Sequence, residues 1–112
     1  MKVFLDDVRS PYEGWNQIRT IEEVIALLEN GLVTDLSLDH DLGSCDSKSG
    51  YDLVSWIEEK VMKENWVPPN LYCHSMNPVG KDKIQLVIDR IGRYVEAYIK
   101  PFKDNLGGKE AR

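Results

Sequence analysis

The sequence predicts a small doubly wound α/β domain of about five mostly parallel strands. Three observations carry that expectation. Short apolar runs at Val3-Phe4-Leu5, Leu36-Ser37-Leu38 and Leu71-Tyr72-Cys73-His74 are too brief for helices, and each ends in polar or charged residues. Between them lie longer segments whose apolar residues recur at helical spacing. Strands and helices that alternate in this way pair in parallel, with helices expected on both faces of the sheet.

Each element has its own signature. Val3-Phe4-Leu5 reads as a buried strand bounded by Asp6-Asp7. Ser10 to Trp15 carries Pro11 and Gly14 and cannot be a regular helix, so Tyr12 and Trp15 are expected to cover a face of the sheet. Gln17 to Arg19 reads as a weak edge strand. Thr20 is a good N-cap with Glu23 three residues on, as in a capping box. Ile21, Val24, Ile25, Leu27 and Leu28 then follow helical spacing until Asn30-Gly31 stops the helix.

The central strand alternates Leu36 and Leu38 with Asp35 and Ser37 and ends at Asp39-His40-Asp41-Leu42-Gly43. The polar run Ser44 to Gly50 is a loop leaving the sheet. Leu53, Val54, Trp56, Ile57 and Val61 mark a second helix that stops before Pro68-Pro69. Leu71 to His74 is a strand closed by Ser75-Met76-Asn77-Pro78. A third helix is predicted from about Lys81 to Ile91, with Ile84, Val87, Ile88 and Ile91 on one face and Gly92 after it. Val95 to Ile99 reads as the last strand, ending at Lys100-Pro101, and the Gly-rich, charged tail from 103 to 112 is expected to fray.

A chain of 112 residues holds one hydrophobic core, so residues 1–112 are expected to form a single domain. Its net charge of −5 disfavours an extensive nucleic-acid surface or a grip on anionic membrane, yet leaves room for one small basic pocket. No apolar run approaches a membrane span, and Met1 leads straight into a strand rather than a signal peptide. Cys45 and Cys73 have neither metal-site spacing nor a disulfide framework, so a cytoplasmic protein with reduced thiols is expected.

In an open α/β sheet, ligands bind outside the carboxyl ends of the strands. Those ends would deliver Asp6 and Asp7, then Asp39, His40 and Asp41, then His74 and Ser75, and finally Lys100. Singly, each has an ordinary role as a turn cap or a surface charge. Together they form a set on one side of the sheet. Three carboxylates within about 4–5 Å repel by a few kcal/mol each at an effective dielectric near 20. A hard divalent cation such as Mg²⁺, which prefers oxygen ligands, neutralises such a cluster. Lys100 and Ser75 suit phosphoryl oxygens, and Arg9 could add a bidentate contact. His40 and His74, the chain's two histidines, titrate near neutrality and could serve as general base and acid. Strict alternation points His74 away from the side taken by Cys73 and Ser75, which leaves open whether it meets the site or the core.

The acid pair after the first strand, Asp39 after the third, Ser75 after the fourth and Lys100-Pro101 after the fifth resemble the receiver domain of bacterial response regulators. That resemblance implies a flavodoxin-like, receiver-like fold. It also implies Mg²⁺ held by Asp6, Asp7 and Asp39 with the Asp41 carbonyl, Asp39 at the phosphoacceptor position, and Ser75 and Lys100 at the phosphoryl group. The chain departs from the receiver pattern in three ways. Pro11, Gly14 and Trp15 replace the first helix with a loop, Asn105-Leu106-Gly107-Gly108 degrades the last helix, and the histidines are not receiver features.

The combination Leu5-Asp6-Asp7-Val8-Arg9-Ser10-Pro11, Leu38-Asp39-His40-Asp41-Leu42-Gly43 and His74-Ser75-Met76-Asn77-Pro78 looks like the receiver-derived family of cyclic-phosphate processing receivers. That resemblance implies a Mg²⁺-assisted phosphoesterase on a phosphate or cyclic phosphate, with 2′,3′-cyclic ends of RNA or nucleotides as candidate partners. Asn77 joins Arg9 and Ser75 as a candidate phosphate contact. Asp39 is open to two roles, nucleophile or metal ligand. The rival readings are a signalling receiver phosphorylated on Asp39 and a catalytically idle binding module.

Overall fold

β1 (Lys2–Leu5) lies inside the sheet, where three consecutive side chains, Val3, Phe4 and Leu5, have no exposed surface. Such a run is what a strand covered on both faces requires. The computed structural model describes residues 1–6, 12–39, 50–74 and 78–101. β2 (Asn16–Ile18) and β3 (Asp35–Leu38) flank β1, and β4 (Asn70–Cys73) pairs with β3. All pairings are parallel and the order is β2-β1-β3-β4, the start of a flavodoxin-type winding.

α1 (Ile21–Glu29) connects β2 to β3. The Thr20 side chain accepts from the Glu23 backbone N–H at 3.3 Å, while its hydroxyl donates to the Glu23 carboxylate at 3.0 Å. The helix ends in a Schellman motif. Gly31 N–H bonds the Leu28 carbonyl and Leu32 N–H bonds the Leu27 carbonyl, each at 3.1 Å, with Gly31 at φ +69°. A residue with a Cβ is strained in that conformation, which is why glycine stands there. α2 (Gly50–Glu64) connects β3 to β4, and α3 (Pro78–Tyr94) follows β4.

Two expectations are corrected. Val95–Ile99 is not a fifth strand but a π-helical continuation of α3. Ile84, Val87, Ile91, Val95 and Ile99 are all buried, and their spacing of three and four residues is helical throughout. The β-branched and aromatic content of the segment resembles a strand, and Gly92 resembles a stop, yet the apolar period runs through both. The four-stranded sheet is therefore the whole sheet among the described residues.

The two faces of the sheet also differ from the expected pair of helical layers. Val3, Leu5, Leu36 and Leu38 pack with the buried residues of α1, α2 and α3 in one hydrophobic cluster. Phe4, fully buried, does not belong to it. On the opposite face Phe4, Ser37 and Tyr72 lie in register, and Tyr12 and Trp15 cover that face as expected. The helices of the described residues thus lie on one face only, with an aromatic layer on the other. Among the described residues no helix is long and apolar enough to cross a membrane.

Candidate metal and phosphate site

The ladder extends one residue beyond β1, β3 and β4, and that residue carries the chemistry. Asp6 N–H bonds the Ile18 carbonyl at 3.2 Å, Asp39 N–H the Leu5 carbonyl at 3.2 Å, and His74 N–H the Leu38 carbonyl at 3.0 Å. Main-chain bonds therefore fix Asp6, Asp39 and His74 side by side at the carboxyl edge. Because side chains alternate, all three project from the face that carries Phe4, Ser37 and Tyr72. One oxygen from each carboxylate and one ring nitrogen lie within 4.8 Å of one another.

The site is mostly shielded from water. Asp6 is 1% exposed, and the His74 side chain is 4% exposed. His74 uses both ring nitrogens: Nε2 lies 3.1 Å from Asp6 Oδ2, and Nδ1 lies 2.7 Å from Ser37 Oγ. A neutral ring satisfies this arrangement when Nε2–H donates to the carboxylate and the hydroxyl donates to Nδ1. The Phe4 ring stacks on the imidazole at 4.0 Å between centroids and 11° between planes. Phe4 in turn meets Tyr12 edge to face at 5.1 Å. The histidine is thus clamped by a ring on its face and hydrogen bonds at both nitrogens, and it cannot turn without breaking one of them.

Asp39 is partly exposed, so its carboxylate is the member of the cluster that solvent reaches. α2 presses against its backbone. A Cβ at Gly50 would overlap the Asp39 carbonyl oxygen, so only glycine lets the helix start this close to the end of β3. Glutamine 17 secures the other flank, with Gln17 Nε2 donating to the Asp6 carbonyl at 2.9 Å.

Of the residues singled out from sequence, the structure brings together Asp6, Asp39 and His74. Asp7, Arg9, His40, Asp41, Ser75 and Asn77 lie outside the described residues. Lys100 is not brought to the site. It follows a helix that starts beside the site at Pro78, and about 22 residues of helix at 1.5 Å each carry it roughly 30 Å away. There it pairs with Glu96 at 3.0 Å and lines a groove with Val67, Pro68, Pro69 and Asn70, at the amino end of β4. The reason is the correction above: with Val95–Ile99 helical, no fifth strand returns Lys100 to the carboxyl edge.

Sequence reasoning missed Ser37 and Phe4. The signal was present in the alternation that placed Leu36 and Leu38 toward the helices, since the same parity puts Ser37 under His74. It also answers the open question about His74, whose ring joins Asp6 while Cys73 packs against the helical core.

The arrangement supplies two carboxylates and an imidazole at the end of a parallel sheet, a donor set suited to a divalent cation. Comparison with curated proteins and with solved structures gives no match. Among family descriptions, the cyclic-phosphate processing receiver domain matches residues 1–90, a span that includes Asp6, Asp39 and His74 and stops short of Lys100. With most of its length matched, the chain belongs to the cyclic-phosphate processing receiver family.

Proposed function

We propose that the chain is a divalent-cation-assisted phosphoesterase acting on a cyclic phosphate, with 2′,3′-cyclic ends of RNA or nucleotides as its substrate class. The observation that supports this most is the convergence of Asp6, Asp39 and His74 on one edge of a chain of this family. Asp6 and Asp39 hold the cation, Mg²⁺ in the receiver pattern, joined by Asp7 and Asp41 as the resemblance implies. The bound ion would neutralise the phosphoryl oxygens and favour attack at phosphorus.

The chain's own groups do the rest. Arg9, Ser75 and Asn77 orient the phosphate by donating to its oxygens. His40 takes a proton from the attacking water as the new P–O bond forms. The P–O bond to the ribose oxygen then breaks, and the proton taken up by His40 passes to that oxygen through solvent, giving a phosphomonoester beside a free hydroxyl. His74, buried and bonded at both nitrogens, leaves proton transfer to His40.

The partly exposed Asp39 at the end of β3 favours a second reading, a receiver that accepts a phosphoryl group on Asp39. One experiment separates the two. Nucleoside 2′,3′-cyclic phosphates and linear phosphoesters are incubated with the protein and Mg²⁺, and products are followed by ³¹P NMR. Ring opening that is lost in Asp39→Asn and cut at least about tenfold in His40→Ala is the expected result. Stable labelling of Asp39 by acetyl phosphate, without turnover, gives the receiver instead. Neither turnover nor labelling leaves an idle binding module.

A further inference from the structure

We propose that the cation held by Asp6 and Asp39 takes Nε2 of His74 as a third protein ligand, so that the site prefers a first-row transition ion such as Co²⁺ or Zn²⁺ over Mg²⁺. The inference rests on the reading that the two carboxylates bind a divalent cation. It changes the identity of that ion. Receiver-type Mg²⁺ sites are built from oxygen, and Mg²⁺ keeps to hard oxygen ligands in near-octahedral geometry. An imidazole nitrogen instead suits the later first-row ions, whose affinity for nitrogen rises from Mn²⁺ to Cu²⁺ and remains high for Zn²⁺.

The geometry is close to what such an ion needs. Ligands about 2.1 Å from an ion lie roughly 3–4 Å from one another, and the donor atoms of Asp6, Asp39 and His74 already lie within 4.8 Å. His74 Nε2 stands 3.1 Å from Asp6 Oδ2, near the separation of two adjacent ligands.

Behind the ring, Ser37 supplies the support that a ligating histidine needs. A ligating histidine almost always donates its other N–H to an oxygen, which fixes its tautomer and raises its basicity. Ser37 Oγ stands 2.7 Å from Nδ1, buried at 2% exposure. A hydroxyl both donates and accepts. Without an ion it donates to Nδ1 while Nε2–H faces Asp6. With an ion on Nε2, the ring's single proton sits on Nδ1 and the hydroxyl accepts it. No proton is gained or lost in this exchange. A carboxylate or a backbone N–H in the place of Ser37 would support one of these forms and oppose the other. Phe4, stacked flat on the ring at 4.0 Å, holds the imidazole plane in place through both.

The test is direct titration of the full chain with Co²⁺ and with Mg²⁺ by calorimetry, together with proton NMR of the Co²⁺-loaded protein. His74→Gln should weaken Co²⁺ by at least about tenfold and Mg²⁺ by less than about threefold, and Ser37→Ala should weaken Co²⁺ by about tenfold. The wild-type spectrum should show a strongly shifted, slowly exchanging imidazole N–H, retained in His40→Ala, which removes the chain's other histidine. The spectrum needs no substitution at His74, so it decides the matter even where His74→Gln folds poorly. Equal weakening of both ions, with no shifted N–H, overturns the His74 ligand and leaves the carboxylate site standing. Failure of the wild type to bind either ion overturns both.

Discussion

Ser37 Oγ and His74 Nδ1 are 2.7 Å apart, one side chain from the middle of β3 and the other from just past the end of β4, both buried. This contact ties the sheet interior to the candidate site. Ser37→Ala leaves a buried ring nitrogen without its partner, which costs about 1–3 kcal/mol. Urea unfolding of the cation-free protein measures this. A loss below about 0.5 kcal/mol, within the range of ordinary surface substitutions, would show that the contact contributes nothing to the fold.

Gly50 and Gly92 make a matched pair. Both are helical, and in an open helix interior Gly→Ala adds roughly 1 kcal/mol of stability. A Cβ at Gly92 meets nothing within 4 Å, so Gly92→Ala should stabilise by that amount. At Gly50 the added carbon meets the Asp39 carbonyl, so Gly50→Ala should destabilise by about 1–3 kcal/mol despite its better helix propensity. It should also weaken cation binding, because the shift it forces falls on Asp39. The opposite signs are the check, read from two denaturation curves.

The sequence made β1, β3, β4 and the three helices legible because each has one dominant period and a clear stop. It also placed Asp6, Asp39 and His74 at one edge, since a parallel sheet gathers its carboxyl ends. The error at Val95–Ile99 arose where β-branched composition and helical spacing disagree, and burial of Val95 and Ile99 against the core decided for the helix. That one segment removed both the fifth strand and Lys100 from the site. Helices on both faces were expected because the alternation of elements says nothing about an uncovered face. The aromatic layer of Phe4, Tyr12, Trp15 and Tyr72 fills that role through two loop side chains and two strand positions, a pattern without a period.

Asp35 gives a pH prediction away from the site. Asn70 Nδ2 donates to its carboxylate at 3.0 Å and Thr34 Oγ1 does so at 3.0 Å, and these bonds hold its pKa below the ordinary 3.8. A carboxyl lowered in the folded state stabilises the fold above its unfolded value, and that contribution fades as pH falls through the folded one. Asp35 should therefore titrate below 3.8 by carbon-detected NMR, and Asn70→Ala, which removes the largest cause, should move the midpoint up. A midpoint unchanged by Asn70→Ala would mean the bond across β3 and β4 does not hold the charge.

Asp39→Asn separates a functional carboxylate from a structural one. Asp39 shares the edge with Asp6, whose buried carboxylate already has His74 at 3.1 Å. A second negative charge at about 4–5 Å works against the fold by up to a few kcal/mol when no cation is bound. Asparagine keeps the shape and removes that charge, so the cation-free protein should gain about 1 kcal/mol. The wild type should recover more than this when a divalent ion is added, because an ion that binds only the folded state stabilises it by RT ln(1 + [L]/Kd). Thermal melts with and without millimolar Mg²⁺ or Co²⁺ give both numbers at once. A gain in Asp39→Asn without ion, and a cation-dependent rise in Tm confined to the wild type, is the expected pair. If Asp39→Asn instead loses more than about 1 kcal/mol with no ion present, the carboxylate is part of the scaffold and the cation site must be sought elsewhere.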